Sequence, residues 1–221
     1  MPGTKHIVLL LIAVCIASAV WGHTIINYAM EKAPAHEVIG YYFRMGVTHI
    51  IPEGFDHILF IISLCLLSNK IRTIFWQATA FTVAHSVTLA LSMKNILVAP
   101  GAVVEPVISL SIVFVAIENI VLNELKAWRI LVVFMFGLIH GMGFASALNG
   151  VGLPRNQFFT SVLSFNLGVE AGQIIVILLV FGLIILPFGK KYFYRKRIVY
   201  PLSVIIAMIA AYWTVERIMV L

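Results

Sequence analysis

The sequence predicts an all-α fold, a polytopic bundle of transmembrane helices with about seven spans. Three observations carry that expectation. Hydrophobic residues make up 62% of the 221-residue chain and charged residues only 11%, well under the share of an average soluble domain. The mean hydropathy is +1.05. The apolar residues fall into runs of bilayer length, and no run alternates with a period of two, which excludes a β-barrel.

The first run, 7–22, follows Lys5 and ends in small residues, with Ala17 and Ala19 in an A-x-A pattern. It reads either as a signal peptide or as the first transmembrane helix, so six spans remain if it is cleaved. Residues 23–47 form an extracytoplasmic segment, and 48–221 a six-helix membrane domain. Its spans are 48–68, 74–93, 104–122, 130–148, 158–187 and 198–220, each near the ~20 residues a bilayer needs. Pro52 suits the first turn of the 48–68 helix, where its missing N–H costs nothing. The linkers are short and hold no soluble domain.

Basic residues orient the chain. Lys5, Lys70, Arg72, Lys126, Arg129 and the cluster from Lys190 to Arg197 fall on one side; Lys32, Arg44, Lys94, Arg155 and Arg217 fall on the other. The excess places the N-terminus in the cytoplasm, if it is retained, and the C-terminus outside. The formal net charge of +6 thus reflects topology and anionic lipid, and no nucleic acid is expected as a partner. The bilayer is the expected partner, and the oligomeric state is left open. Cys15 and Cys65, each inside an apolar run, make neither a thiolate metal site nor a disulfide framework.

Ionisable residues inside the spans are few, and each is costly there. At ~1.5 Å per residue, His85, His140 and Asn166 lie about 12 Å from the outer face, Asp56 and His57 roughly 6–8 Å, and Glu170 about 18 Å. Helices running in alternate directions therefore bring polar side chains to one outer-to-middle layer. Asp56, the only aspartate in the chain, stands with Glu53 in a first helical turn, where the helix dipole favours carboxylates. Asn166, Glu170 and Gln173 share one helix face; Thr82, His85 and Ser86 share another. Gly137, Gly141 and Ala145 form one small-residue face and Gly168 and Gly172 another, which would let spans five and six bring His140 and Glu170 together.

Three imidazoles with carboxylates suit a divalent transition metal, Ni²⁺, Co²⁺ or Zn²⁺, rather than Cu(I). The candidate metal residues are His57, His85, His140, Asp56, Glu170 and His49. Asn166, Gln173, Ser86, Glu53, Glu105 and Glu118 are candidates for supporting or pathway roles, with Glu118 equally readable as a helix-to-helix hydrogen bond. The bland reading of any single membrane histidine is hydrogen-bonded glue. His23, His36 and Glu37 read as a solvated segment. Tyr212, Trp213, Glu216 and Arg217 read as interfacial anchoring with a local charge pair.

The strings "HIIPEGFDHILF", "TAFTVAHSVTLAL", "VVEPVISLSIVFVAIEN", "FGLIHGMGFA", "FNLGVEAGQ" and "YWTVERI" occur in this order from about residue 46 to 217. Together they resemble the HupE/UreJ family of bacterial membrane proteins. The resemblance implies a multi-pass protein of the bacterial inner membrane and a nickel or cobalt permease. The family's His-x-Asp-His type signature falls on His49, Asp56 and His57. The gap between His49 and Asp56 is slightly longer here than in the nickel branch, so the chain looks closer to a second branch.

Two functions follow from the layer. One is a permease, with His49 and Glu53 at the mouth, the metal residues below and Glu118 near the inner exit; the inner half otherwise reads as dry. The other is an intramembrane zinc hydrolase acting on a lipid or lipid-linked substrate, with Asp56 or Glu170 as general base. Transport needs a continuous polar path and hydrolysis does not. Bis-histidine haem gains nothing from adjacent acids and is the weakest reading.

Overall fold

The computed structural model describes residues 30–151 and 153–220. The first apolar run, 1–22, and His23 lie outside the described residues. Among these the chain is helical throughout, without strands. The helices are α1 (Ala35–Ile50), α2 (Phe55–Leu66), α3 (Ile71–Met93), α4 (Gly101–Val121), α5 (Arg129–Val151), α6 (Phe158–Phe188) and α7 (Arg195–Met219). Single π turns lie within α6 at Phe181–Ile185 and at the start of α7 at Arg195–Val199. Helices α3, α4, α6 and α7 are each long and apolar enough to cross a membrane, and the protein is a multi-pass membrane protein.

The 48–68 span differs from its expected form. It is not one helix: its start is the last turn of α1 and its remainder α2, and the two meet at a 68° bend, as in a broken span or a re-entrant loop. Pro52 does not open a helix but sits in the break, and α2 starts at Phe55. The cause is local. The Glu53 and Gly54 amides turn back onto the carbonyls of Thr48 and Ile50, at 3.2 Å each, and close the end of α1. Gly54 lies so close to the His49 carbonyl that a Cβ there would fall upon it. The Ile58 amide then bonds the Gly54 carbonyl at 2.9 Å and α2 begins. Much of the expected extracytoplasmic segment is therefore α1, whose Val38 and Tyr42 are fully buried, while His36 and Glu37 are exposed as expected.

The small-residue faces work, but with other partners than expected. Gly46 of α1 and Gly168 of α6 bring their two backbones together: a Cβ on either would strike a carbonyl, Phe165 O or Phe43 O. Asn156 and Gln157 hold the Glu31 and Ala33 carbonyls at 2.8 and 2.9 Å, so α1 and α6 run parallel over their shared length. Gly137 and Gly141 of α5 press on α3 at Phe81, Ala84, His85 and Thr88. The glycines of α5 and α6 thus serve different neighbours, and among the described residues they form no joint face that unites His140 with Glu170. Helix α4 pairs with α7, and the short α2 packs among α3, α4, α6 and α7.

The expected inner linker residue Arg129 is only 1% exposed and pairs with Glu118 at 3.2 Å. Its guanidinium also donates to Asn119 Oδ1 and to the Ser63 carbonyl. Arg195 donates to the carbonyls of Asn119, Ile120 and Leu122 where α4 ends. These contacts tie α2, α4, α5 and α7 together at the Lys70 end of the bundle.

Candidate metal centre

Four histidines converge at the break. His49 is in the last turn of α1, His57 in the first turns of α2, His85 in α3 and His140 in α5. Ring nitrogens of His49, His57 and His85, one from each, lie within 4.8 Å of one another. The His57 and His140 ring centroids are 5.2 Å apart. Nitrogens bound to one ion stand roughly 3.4–4.2 Å apart, given metal–nitrogen bonds of ~2.0–2.1 Å. An ion at this point asks for an inward shift of about 1 Å, within the reach of side-chain torsions.

The Nε2 atom of each of the four histidines is buried and makes no hydrogen bond among the described residues. For two of the rings the neighbours explain why. His140 Nδ1–H donates to the Phe136 carbonyl at 2.8 Å. His85 Nδ1 faces Asn166 Oδ1 at 3.1 Å, and the Asn166 amide nitrogen is spent on the Val162 carbonyl at 2.8 Å. Each acceptor calls for a proton on Nδ1, which leaves Nε2 with a lone pair. Buried lone pairs without donors are costly unless something electron-poor faces them. Phe144 and Phe165, stacked at 5.0 Å, wall the cluster, with Phe144 3.8 Å from the His49 ring.

The carboxylates flank this cluster without joining its nitrogen group. A cavity of about 220 Å³ is lined by His49, His57 and His140 together with Glu53, Asp56, Glu105 and Arg217. That is room for several waters, enough for a hydrated ion. Asp56 Oδ2 accepts from Arg217 at 2.8 Å, so Arg217 is the partner of the aspartate rather than a surface anchor paired with Glu216. Its guanidinium carbon lies 5.8 Å from the Trp213 ring. Glu170 Oε1 accepts from Thr79 Oγ at 2.7 Å, and Gln173 Oε1 from Thr82 Oγ at 3.2 Å. Ser86 turns back onto its own helix, to the Thr82 carbonyl. Glu118, expected near an inner exit, is held by Arg129.

The α3–α6 seam is therefore polar below the histidines. On α3, Thr82 and Thr79 follow His85 one and two turns toward the Lys70 end; on α6, Glu170 and Gln173 follow Asn166 one and two turns the same way, and the pairs cross as Thr82–Gln173 and Thr79–Glu170. The inner half is less dry than the sequence suggests, because Thr79, though it opens the string "TAFTVAHSVTLAL", gives no sign of a partner that lies 91 residues on. Arg217, expected as an interfacial anchor, has a partner that the sequence does not show. Its position near a chain end gives no sign of contact with Asp56, 161 residues away.

A family model described as HupE / UreJ protein matches residues 24–217 of the chain. No curated protein and no solved structure matches it.

Proposed function

The chain belongs to the HupE/UreJ family, and we propose that it is a permease for a divalent transition metal, nickel or cobalt first, whose ion is bound by His49, His57 and His85 with His140 beside them. The single observation that carries this reading is that ring nitrogens of His49, His57 and His85 gather within 4.8 Å of one another at the bend between α1 and α2, with the Nε2 of each, and of His140 beside them, buried and without a hydrogen-bond partner among the described residues. Broken helices at ion sites are a recurrent transporter device, because they open one span to its cargo at mid-depth. Imidazole nitrogens favour nickel, cobalt and zinc over magnesium or calcium. The polar seam from His85–Asn166 to Thr79–Glu170 supports transport over hydrolysis, since hydrolysis has no need of it. The protein resides in the bacterial inner membrane, with the C-terminus outside by the basic-residue balance.

The test is Ni²⁺ and Co²⁺ uptake by proteoliposomes, comparing the native protein with His57→Ala and His85→Ala. The expected result is uptake above that of protein-free vesicles, reduced at least tenfold in both variants. One tight zinc carried through purification, with no uptake of any metal, overturns the permease and leaves the zinc hydrolase.

A further inference from the structure

We propose that Arg217 is a built-in competitor of the metal ion: it holds Asp56 in the unloaded protein, and the arriving cation displaces it and takes the aspartate. The inference rests on the metal-binding reading above and adds to it a residue and a sequence of events.

The guanidinium bridges three helices at the mouth of the cavity. One nitrogen donates to Asp56 Oδ2 at 2.8 Å and the other to the Glu105 carbonyl at 3.1 Å. Asp56 is adjacent in sequence to His57, and both line the cavity that Arg217 lines. The aspartate is only half used: Oδ1 is buried and has no hydrogen-bond partner among the described residues. The pair remains reachable, with side chains 23% and 24% exposed, unlike the sealed Arg129–Glu118 pair at 1% and 4%.

Charge explains the arrangement. Glu53, Asp56 and Glu105 place three carboxyl groups around the cavity, and Arg217 is the cationic side chain among its lining residues. A carboxylate beside low-dielectric walls needs a counter-charge when no ion is bound. Arg217 supplies one that is delocalised and weakly hydrated, and so exchangeable. A divalent ion approaches a carboxylate oxygen to about 2.0–2.2 Å, nearer than any guanidinium nitrogen, and carries twice the charge. Asp56 thus passes from the arginine to the ion, beside the histidines that complete its coordination. When the ion leaves, Arg217 reclaims the aspartate, which keeps the site from holding its cargo too tightly to release.

The test is calorimetric titration of the full-length protein in detergent with Ni²⁺, using native protein, His57→Ala, Arg217→Gln, Asp56→Asn and the Arg217→Gln/Asp56→Asn double variant. Arg217→Gln is expected to bind Ni²⁺ more tightly, on the order of tenfold for loss of a partly exposed competing pair, and to release it more slowly. Asp56→Asn binds more weakly, and in its background Arg217→Gln changes nothing, because the object of competition is gone. A structural tie would instead make Arg217→Gln bind the same or worse. Should Arg217→Gln fail to fold, Arg217→Lys decides: it keeps the charge but not the two-pronged hold, and tightens binding by a smaller factor. Normal His57-dependent binding by the native protein, with no tightening in either arginine variant, overturns the competitor and leaves the permease standing. No His57-dependent binding by the native protein removes the permease reading, and the competitor with it.

Discussion

Removal of the Glu118 carboxylate tests the inner closure of the bundle most directly. The pair it forms with Arg129 is 3.2 Å long, and its side chains are 4% and 1% exposed. Coulomb's law at that distance, with an effective dielectric near 20, gives an attraction of about 5 kcal/mol. Desolvation of both groups offsets much of this in the intact protein, so the pair itself contributes little. The asymmetry lies in the variant. Glu118→Ala leaves a buried guanidinium with Asn119 Oδ1 at 3.2 and 3.3 Å and the Ser63 carbonyl at 3.4 Å. Breaking one side of a buried pair costs about 3–5 kcal/mol. The remaining acceptors argue for the lower end, about 3 kcal/mol, or a melting temperature lower by roughly 6–12 °C for a chain of this size. Cys65 supplies the assay, since it is fully buried in α2 and reacts with a thiol-directed fluorophore only on unfolding. Cys15→Ala removes the other thiol. The double variant Glu118→Leu/Arg129→Met should recover most of the loss, as apolar replacement of whole buried pairs usually does. A shift below about 2 °C for Glu118→Ala, or a double variant no better than the single, refutes the reasoning.

Two further outcomes follow from the packing around the histidines. Asn166→Ala frees the His85 ring from its Nδ1 acceptor and should weaken Ni²⁺ binding about 10- to 100-fold with little change in melting, as loss of an orienting partner does; unchanged affinity in a calorimetric titration contradicts the orienting role. Gly168→Ala places a methyl group on the Phe43 carbonyl and forces α1 away from α6, an overpacking cost of about 1–3 kcal/mol; a native melting curve, with native Ni²⁺ affinity, shows that the two backbones do not need this approach.

Much of this architecture is visible in the chain because its signals are local. Runs of apolar residues mark α3, α4, α6 and α7, and the small-residue spacings at Gly137/Gly141 and Gly168/Gly172 correctly mark close-packing faces. Which helix each face meets is not local, and the small-residue pattern is the same whatever its partner. The histidines are legible for a related reason: an imidazole in an apolar run is rare enough to notice. Their ring nitrogens do meet in the case of His49, His57 and His85. The partner of Asp56 is not legible, because an aspartate beside a histidine carries no sign of an arginine that arrives from the far end of the sequence. Arg129 misled in the opposite direction. At the edge of a hydrophobic run it looks like a topology residue, and only the three-dimensional neighbourhood of Glu118, Asn119 and Ser63 reveals a buried pair.

The break between α1 and α2 is what gathers a stripe of polar residues into a candidate centre. His57 follows His49 by eight positions. On an unbroken helix they would stand about 12 Å apart along the axis, too far to share an ion. The 68° bend at residues 51–54 folds that distance away and brings the ring centroids to 4.8 Å. Pro52, which lacks an amide hydrogen, and Gly54, which alone tolerates the His49 carbonyl against its α-carbon, are the residues that make the bend possible. They leave α1 and α2 each with an end inside the bundle, and α2's positive end is where Asp56 and His57 stand. The site therefore depends on the very residues that spoil the helix, and a continuous span of the same hydrophobicity would carry the same histidines without being able to use them together.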